Sequence, residues 1–172
     1  MNAPDSDPDN PPGRSPSRRW RTTVIRGIPR VRIPYTELES VLRRLARGER
    51  AAGEVSVIVA DDRIMRRLNN RFRRKNKPTD VLAFPLGPAT RSQGIRIVEG
   101  EIYINHDHAR RWQARAGDTL AAELTRLAVH GTLHLLGYRH ETPAQRQKMS
   151  AAEDRYLRAE GLIGKRTRER AS

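Results

Sequence analysis

Three histidines with a fixed spacing constrain the fold of this chain more than any other feature. His130 and His134 are four residues apart, so on a helix their imidazoles project from the same face, one turn apart. Gly137 follows, and glycine most readily adopts the left-handed conformation that ends a helix. The chain can then turn back and bring His140 to the same point from outside the helix. The spacing therefore predicts a helix that ends beside a cluster of three imidazoles.

Such a cluster is typical of a catalytic metal site. Three imidazoles around one point, without a fourth protein ligand, form a zinc site whose last position stays open to water. We therefore predict Zn²⁺ as the cofactor and His130, His134 and His140 as its ligands. The alternative is that they are ordinary surface or core histidines. The common register of three histidines and a turn glycine favours the metal site.

The same spacing occurs in the metzincin proteases, whose signature is H-E-x-x-H-x-x-G-x-x-H. In this chain Gly131 stands at the position of the glutamate, which is the general base of peptide hydrolysis. The metal geometry is compatible with the signature, but the proton acceptor is missing. The sequence therefore disfavours a peptidase.

Three segments match the signatures of one known family. Leu68–Pro85 is similar to L-N-x-x-[YF]-R-x-K-x-x-P-T-D-V-L-S-F-P, and Gly100–Ile104 is similar to G-D-I-x-I. The histidine stretch is similar to H-G-x-L-H-L-x-G-Y-D-H, with Arg139 in place of the aspartate. Over roughly residues 50–160 the chain thus resembles the YbeY-type endoribonucleases of bacterial ribosomal RNA maturation. The residues of the histidine stretch that match are His130, Gly131, Leu133, His134, Leu135, Gly137, Tyr138 and His140.

The resemblance implies a single-strand-specific, metal-dependent endoribonuclease that acts in rRNA maturation and ribosome quality control. Zinc-activated water or the RNA 2′-hydroxyl would attack the phosphodiester. Arg73 falls on the position of the family's functional arginine and is the predicted catalytic residue, because a fixed cation stabilises the charge that builds on the phosphate oxygens. The expected partners are single-stranded RNA, ribosomal RNA and ribosomal particles. The alternative is a non-catalytic, zinc-stabilised assembly factor that binds rRNA.

Because Arg139 replaces the family's aspartate, the sequence does not identify the hydrogen-bond acceptor for the metal-binding histidines. A metal-binding histidine usually donates its other ring N–H to an acceptor, and an arginine cannot accept. If the family's aspartate has that role, the acceptor here could be Glu141, Asp80 or a backbone carbonyl.

The charge of the chain indicates a polyanionic partner. The net charge is +14 and the isoelectric point is near 11.3, which suits nucleic acid, although a general bias toward arginine would give the same value. With only two Trp, four Tyr and two Phe, we expect recognition through the phosphate backbone rather than base stacking, and a strong salt dependence. The residues predicted to bind the RNA backbone are Arg71, Arg74, Lys75 and Lys77.

The pattern of the chain predicts one α+β domain, a small mixed β-sheet packed with about five helices, in which the histidine-bearing helix is central and mostly buried. We predict a disordered N-terminal tail over residues 1–20, the domain over 21–163 and a basic C-terminal tail over 164–172. The chain contains no cysteine, no apolar run long enough to cross a bilayer and no secretory signal, so we expect a cytoplasmic protein without a membrane partner. The oligomeric state is left open.

Two local predictions can be checked directly. Thr36 with Glu39 forms a capping-box pattern at the start of the first helix. Residues 95–98 and 101–104 have the pattern of two strands joined by a turn at Gly100.

Overall fold

The computed structural model describes residues 19–116 and 118–162. The predicted tails lie almost entirely outside these ranges. Of residues 1–20 only Arg19 and Trp20 are described, and none of residues 164–172 is. None of the helices in this part of the chain has the length and apolar character that crossing a bilayer requires. The elements in chain order are β1 (Trp20–Arg26), α1 (Tyr35–Gly48), β2 (Ala51–Ala60), α2 (Asp62–Arg73), β3 (Val81–Pro85), β4 (Thr90–Ser92), β5 (Ile95–Asn105), α3 (His106–Ala116), α4 (Leu120–Leu135) and α5 (Pro143–Arg158).

The strands form one mixed sheet in the order β1-β2-β5-β3, and β4 also pairs with β5. β1, β2 and β5 are parallel to their neighbours, whereas β3 and β4 run antiparallel to β5. The prediction of a single α+β domain with a small mixed sheet is therefore confirmed.

β5 is one continuous strand, so the predicted turn at Gly100 is wrong. Gly100 is buried, and a Cβ added there would lie 2.7 Å from Cδ1 of Leu135. The glycine is thus required because α4 approaches the strand closely. Close approach of another segment is, like a bulge or a bend, a common reason for glycine inside a strand.

α4 is the centre of the main core, as predicted. It packs against β3, β5, α1, α3 and α5, and Leu124, Leu127 and Leu133 are fully buried. α2 lies on the opposite face of the sheet, where Met65 packs with Leu82 of β3 in a second, smaller cluster. β3 therefore separates the helix that carries two histidines from the helix that carries Arg73.

Three helices begin at a residue whose side chain caps the helix, and α1 does not. Asp61, Thr119 and Thr142 each accept a hydrogen bond from a backbone N–H of the first turn, and Thr142 completes a capping box. The capping box predicted at Thr36 is wrong, since the N-cap is Pro34, two residues earlier, and α1 begins at Tyr35 without a side-chain cap. Proline is tolerated at the start of a helix because its missing N–H would have no partner within the helix there.

Candidate metal centre

Residues 130–140, here called the histidine turn, bring three histidines together at the end of α4. His130 and His134 lie on the last two turns of the helix and are half-buried, whereas His140 follows the helix and is exposed. Gly137 has a φ of +88°. Its N–H donates to the carbonyl of His134 at 2.9 Å, and the N–H of Tyr138 donates to that of Leu133 at 2.9 Å. This pair of bonds is a Schellman motif, in which glycine is preferred.

The three imidazoles converge on one point, as their spacing indicated. One ring nitrogen of each histidine lies within 4.8 Å of the corresponding atoms of the other two. The Nε2 atoms of His130 and His134 are 3.0 Å apart. In a tetrahedral zinc site with Zn–N bonds of about 2.0–2.1 Å, two ligand nitrogens lie about 3.3–3.4 Å apart. The spacing of the helical pair is therefore close to what a shared metal ion requires.

The hydrogen-bond partners determine which ring nitrogen is free to bind a metal. Nδ1 of His130 lies 2.6 Å from Oε1 of Glu153, and Nδ1 of His134 lies 3.1 Å from the carbonyl oxygen of Tyr138. A carboxylate and a carbonyl can only accept, so each Nδ1 carries the proton and each Nε2 presents a lone pair. Two lone pairs at 3.0 Å repel each other unless a cation lies between them. The donor set therefore fits a metal ion on the Nε2 side.

The electrostatics of the site favour the ligating form of histidine. Burial lowers the pKa of His134 to about 4, and the neighbouring His130 and His140 also lower it. A histidine with this pKa is neutral near pH 7, and neutral imidazole is the form that binds a metal.

Tyr138 forms hydrogen bonds that connect His134 with Arg139 and with Glu49, the residue after α1. A guanidinium N–H of Arg139 donates to the carbonyl oxygen of Tyr138 at 3.0 Å, and this oxygen also accepts the bond from His134. The hydroxyl of Tyr138 donates to the carboxylate of Glu49 at 3.0 Å. Arg139 thus holds the carbonyl that orients His134. Of the acceptors considered from the sequence, the backbone carbonyl is the one observed for this histidine.

Gly131 leaves no room for the glutamate of a metzincin. It is buried against β5, and a Cβ added there would lie only 2.4 Å from Cγ2 of Ile102. A glutamate would have to displace the central strand, so the absence of the peptidase base follows from the packing of α4 on the sheet.

Arg73 lines the same cleft as the three histidines. The cleft has a volume of about 890 Å³, and β3 forms one wall with Val81, Ala83 and Pro85. Arg73 lies at the end of α2 and is exposed. The cleft also contains Arg139, two carboxylates (Asp80 and Glu141) and one arginine that was not singled out in the sequence, Arg96.

Residues 71–77, here called the basic segment, contain the predicted RNA-binding cations. Arg71, Arg74, Lys75 and Lys77 are exposed, and unlike Arg73 they do not line the cleft. The side chain of Asn69 donates to the carbonyl of Lys77 at 2.8 Å and so holds the segment in place. Among the residues that the structure describes, none of these cations forms an ion pair with a carboxylate.

Two supporting residues were missed in the sequence, Glu153 and Glu49. Glu153 lies on α5 four residues after the buried Met149 and three before the buried Tyr156, so an acidic residue on the apolar face of a helix was the available signal. Glu49 follows α1 and accepts hydrogen bonds from the hydroxyls of Tyr138 and Tyr156. No pattern in the sequence distinguishes it from the exposed glutamates.

Comparisons with known proteins agree with the motifs. The family model described as Endoribonuclease YbeY matches residues 32–161. The Endoribonuclease YbeY of Anaeromyxobacter sp. (strain Fw109-5) is 37% identical over 94% of this chain and 73% of its own length. The one from Anaeromyxobacter dehalogenans is 41% identical, over 70% of this chain and 61% of that protein.

The fold is found in a solved structure as well. The solution structure of TM1509 from Thermotoga maritima matches with a TM-score of 0.53 at 23% identity, over 87% of this chain and 99% of that one. At this identity the match shows a common fold alone. The extent of the family match and the identity to the curated relatives show that this chain belongs to the YbeY endoribonuclease family.

Proposed function

We propose that this protein is a single-strand-specific, metal-dependent endoribonuclease that acts in rRNA maturation and ribosome quality control in the cytoplasm. The observation that carries the proposal is that Arg73 and the three histidines line one cleft although they come from distant segments of the chain. The names of the relatives, Endoribonuclease YbeY, support the reaction. The ribosomal substrate, the single-strand preference and the location follow from the family resemblance.

The proposed cofactor is Zn²⁺, held by Nε2 of His130 and His134 and by His140. Three nitrogen ligands without a fourth protein ligand suit a catalytic zinc site. A zinc ion in this position supplies Lewis-acid activation of an oxygen nucleophile and of the scissile phosphate. Glu153 and the carbonyl of Tyr138 keep two of the imidazoles in the ligating tautomer and orientation.

The chain itself provides the binding of the phosphate. Arg73 is the group proposed to contact the scissile phosphate and to stabilise its negative charge as the bond breaks, since fixed donors act most strongly where charge develops. Arg96 and Arg139 add positive charge to the same cleft. The other cations of the basic segment lie outside the cleft and are proposed to hold the flanking phosphates.

The first test is cleavage of labelled single-stranded RNA by the purified protein, with and without a chelator. We expect cleavage that the chelator abolishes and that added zinc restores. His134→Ala should lose both zinc and activity, because two imidazoles hold zinc poorly. His108→Ala is the matched control, as His108 lies on α3 outside the three-histidine group, and it should retain both.

The outcomes separate the candidate functions. Cleavage that is insensitive to the chelator, or full zinc occupancy in His134→Ala, would contradict the metal centre. RNA binding with bound zinc but without cleavage would favour the assembly factor instead. Comparing precursor rRNA in ribosomal particles with the same naked transcript then tests whether the particle determines where the RNA is cut.

A further inference from the structure

An exposed aromatic ring belongs to the residue that precedes Arg73. Phe72 is 56% exposed, although it precedes Arg73, which lines the cleft. In the described part of the chain, exposed large apolar residues are few: Ile25, Tyr35, Phe72 and Leu86. An aromatic side chain of this size normally buries its ring, so the position of Phe72 calls for a functional reason.

The ring of Phe72 packs against a second aromatic ring. Its centroid lies 4.7 Å from that of Phe84, which in turn packs edge-on against Tyr103 at 5.8 Å. Phe84 lies in β3 between Ala83 and Pro85, both of which line the cleft. Because side chains alternate along a strand, Phe84 and Phe72 lie on the other side of β3 from the cleft.

The strand between the cleft and the rings is at the edge of the sheet. β3 is the last strand in the order β1-β2-β5-β3, so no further strand separates the cleft from the α2 side. An RNA strand that passed Arg73 and crossed this edge would reach the side of the sheet on which Phe72 is exposed. The guanidinium carbon of Arg71 lies over the ring, 5.5 Å from its centroid, so a base stacked there would share the ring with an exposed cation or displace it.

We propose that Phe72, supported by Phe84, is a stacking site for one nucleobase of the RNA strand that leaves the cleft; this inference rests on the proposed RNA substrate. Every base presents a π-face, so such a site binds RNA with little preference for sequence. It also requires a base that is not paired in a duplex. The site thus adds a contact specific for unpaired bases to the backbone recognition that the small number of aromatics predicted.

The test compares two oligonucleotides of equal length, single-stranded RNA and its abasic ribose-phosphate analogue, bound to protein in the presence of a chelator. Under these conditions nothing is cleaved, and anisotropy reports the dissociation constants. The wild-type protein should prefer the oligonucleotide with bases by about 5-fold or more, the usual effect of stacking one base. Phe72→Leu keeps an apolar contact with Phe84 but lacks the π-face, and should lose this preference while its affinity for the abasic analogue changes less than about 2-fold.

Three controls keep the result specific. Phe72→Tyr should retain the preference, because it keeps a ring. Tyr35→Leu removes another exposed aromatic, at the start of α1, and should behave as the wild type. With 2-aminopurine in the RNA, the wild-type protein should quench its fluorescence and Phe72→Leu should not.

The inference and the proposed function fail in different ways. If the wild-type protein cleaves RNA but Phe72→Leu keeps the full preference for bases, the stacking site is wrong and the proposed function stands. Equal binding of both oligonucleotides by the wild-type protein would also overturn the stacking site. If the zinc-loaded protein neither binds nor cleaves RNA, the proposed function fails, and the inference fails with it.

Discussion

The histidine turn lines the cleft, whereas the basic segment reaches it only through Arg73, and the two regions are built in opposite ways. In the histidine turn, the rings of His130 and His134 are half-buried and their Nδ1 atoms have defined acceptors. In the basic segment, the charged side chains are exposed and the contacts that hold the segment, such as the one from Asn69 to the carbonyl of Lys77, fix its backbone.

The difference agrees with the proposed division of function between a metal centre and an RNA-binding surface. A metal ion requires ligands held at fixed positions, since lost orientation weakens binding, and the packing of α4 and α5 supplies that rigidity. The sugar-phosphate backbone of RNA requires positive charge that can adapt to the positions of its phosphates. Arg73 is the point where the two regions meet, because it belongs to the basic segment by sequence and to the cleft by position.

The prediction with the largest expected effect concerns this meeting point. Arg73→Ala should lower the cleavage rate by about 10²–10³-fold, the usual loss when one donor to a developing negative charge is removed. Zinc content and melting temperature should stay near the wild-type values, because the side chain is exposed. The rate is measured under single-turnover conditions.

Arg67→Ala is the matched control, since Arg67 is exposed on α2 and does not line the cleft. It should change RNA affinity more than the rate of cleavage. Equal, modest losses of rate in both variants would mean that Arg73 acts only as one cation among many.

The next prediction tests the rigidity of the histidine turn. Glu153→Ala removes the acceptor for Nδ1 of His130, and zinc affinity should fall about 10–100-fold. Glu153→Gln keeps an acceptor oxygen and should recover part of the loss. Affinities are measured by competition with a chromophoric chelator. Asp154→Asn, which affects an ion pair with Arg158 on the outer side of α5, should have no effect, and an equal loss in this variant would argue against a specific role for Glu153.

A third prediction concerns how tightly α4 packs on the sheet. Gly131→Ala places a methyl group against Ile102 and should lower the free energy of unfolding by about 1–3 kcal/mol, as overpacking a core does. Urea unfolding should show a lower midpoint with an unchanged slope. A Cβ at Gly87 meets no atom within 4 Å, so Gly87→Ala should leave stability nearly unchanged. Equal stability of the two variants would show that α4 can shift away from the sheet at little cost.

The two regions also differ in how much of them the sequence predicts. The spacing of His130, His134 and Gly137 predicted the helix, its end and the convergence of the rings, because these follow from local backbone geometry. Glu153 could not be placed in the same way. Its contact with His130 depends on how α5 packs against α4, and such long-range packing leaves little trace in a local pattern.

The same limit explains the errors in the fold. Gly100 was interpreted as a turn because glycine often is one, whereas here it accommodates Leu135 from a distant helix. The small number of aromatic residues led to the expectation that RNA is bound without base stacking, but composition does not tell which aromatic side chains are exposed. Only the structure shows that Phe72, next to Arg73 in the sequence, is exposed.

The smallest expected effect concerns a single cation of the basic segment. Lys77→Gln should weaken binding of single-stranded RNA only a few-fold, and to a similar degree for different sequences, because a lysine at a phosphate reads charge rather than base. Its clearer signature is the salt dependence: the slope of log K against log[salt] should decrease in magnitude by about 0.7, the contribution of one phosphate contact on a single strand. Arg43→Gln removes the same charge from α1, where Arg43 is paired with Glu39, and its slope should match that of the wild-type protein. A slope reduced equally in both variants would mean that RNA responds to the total charge of the protein, and that the basic segment is not a defined binding surface.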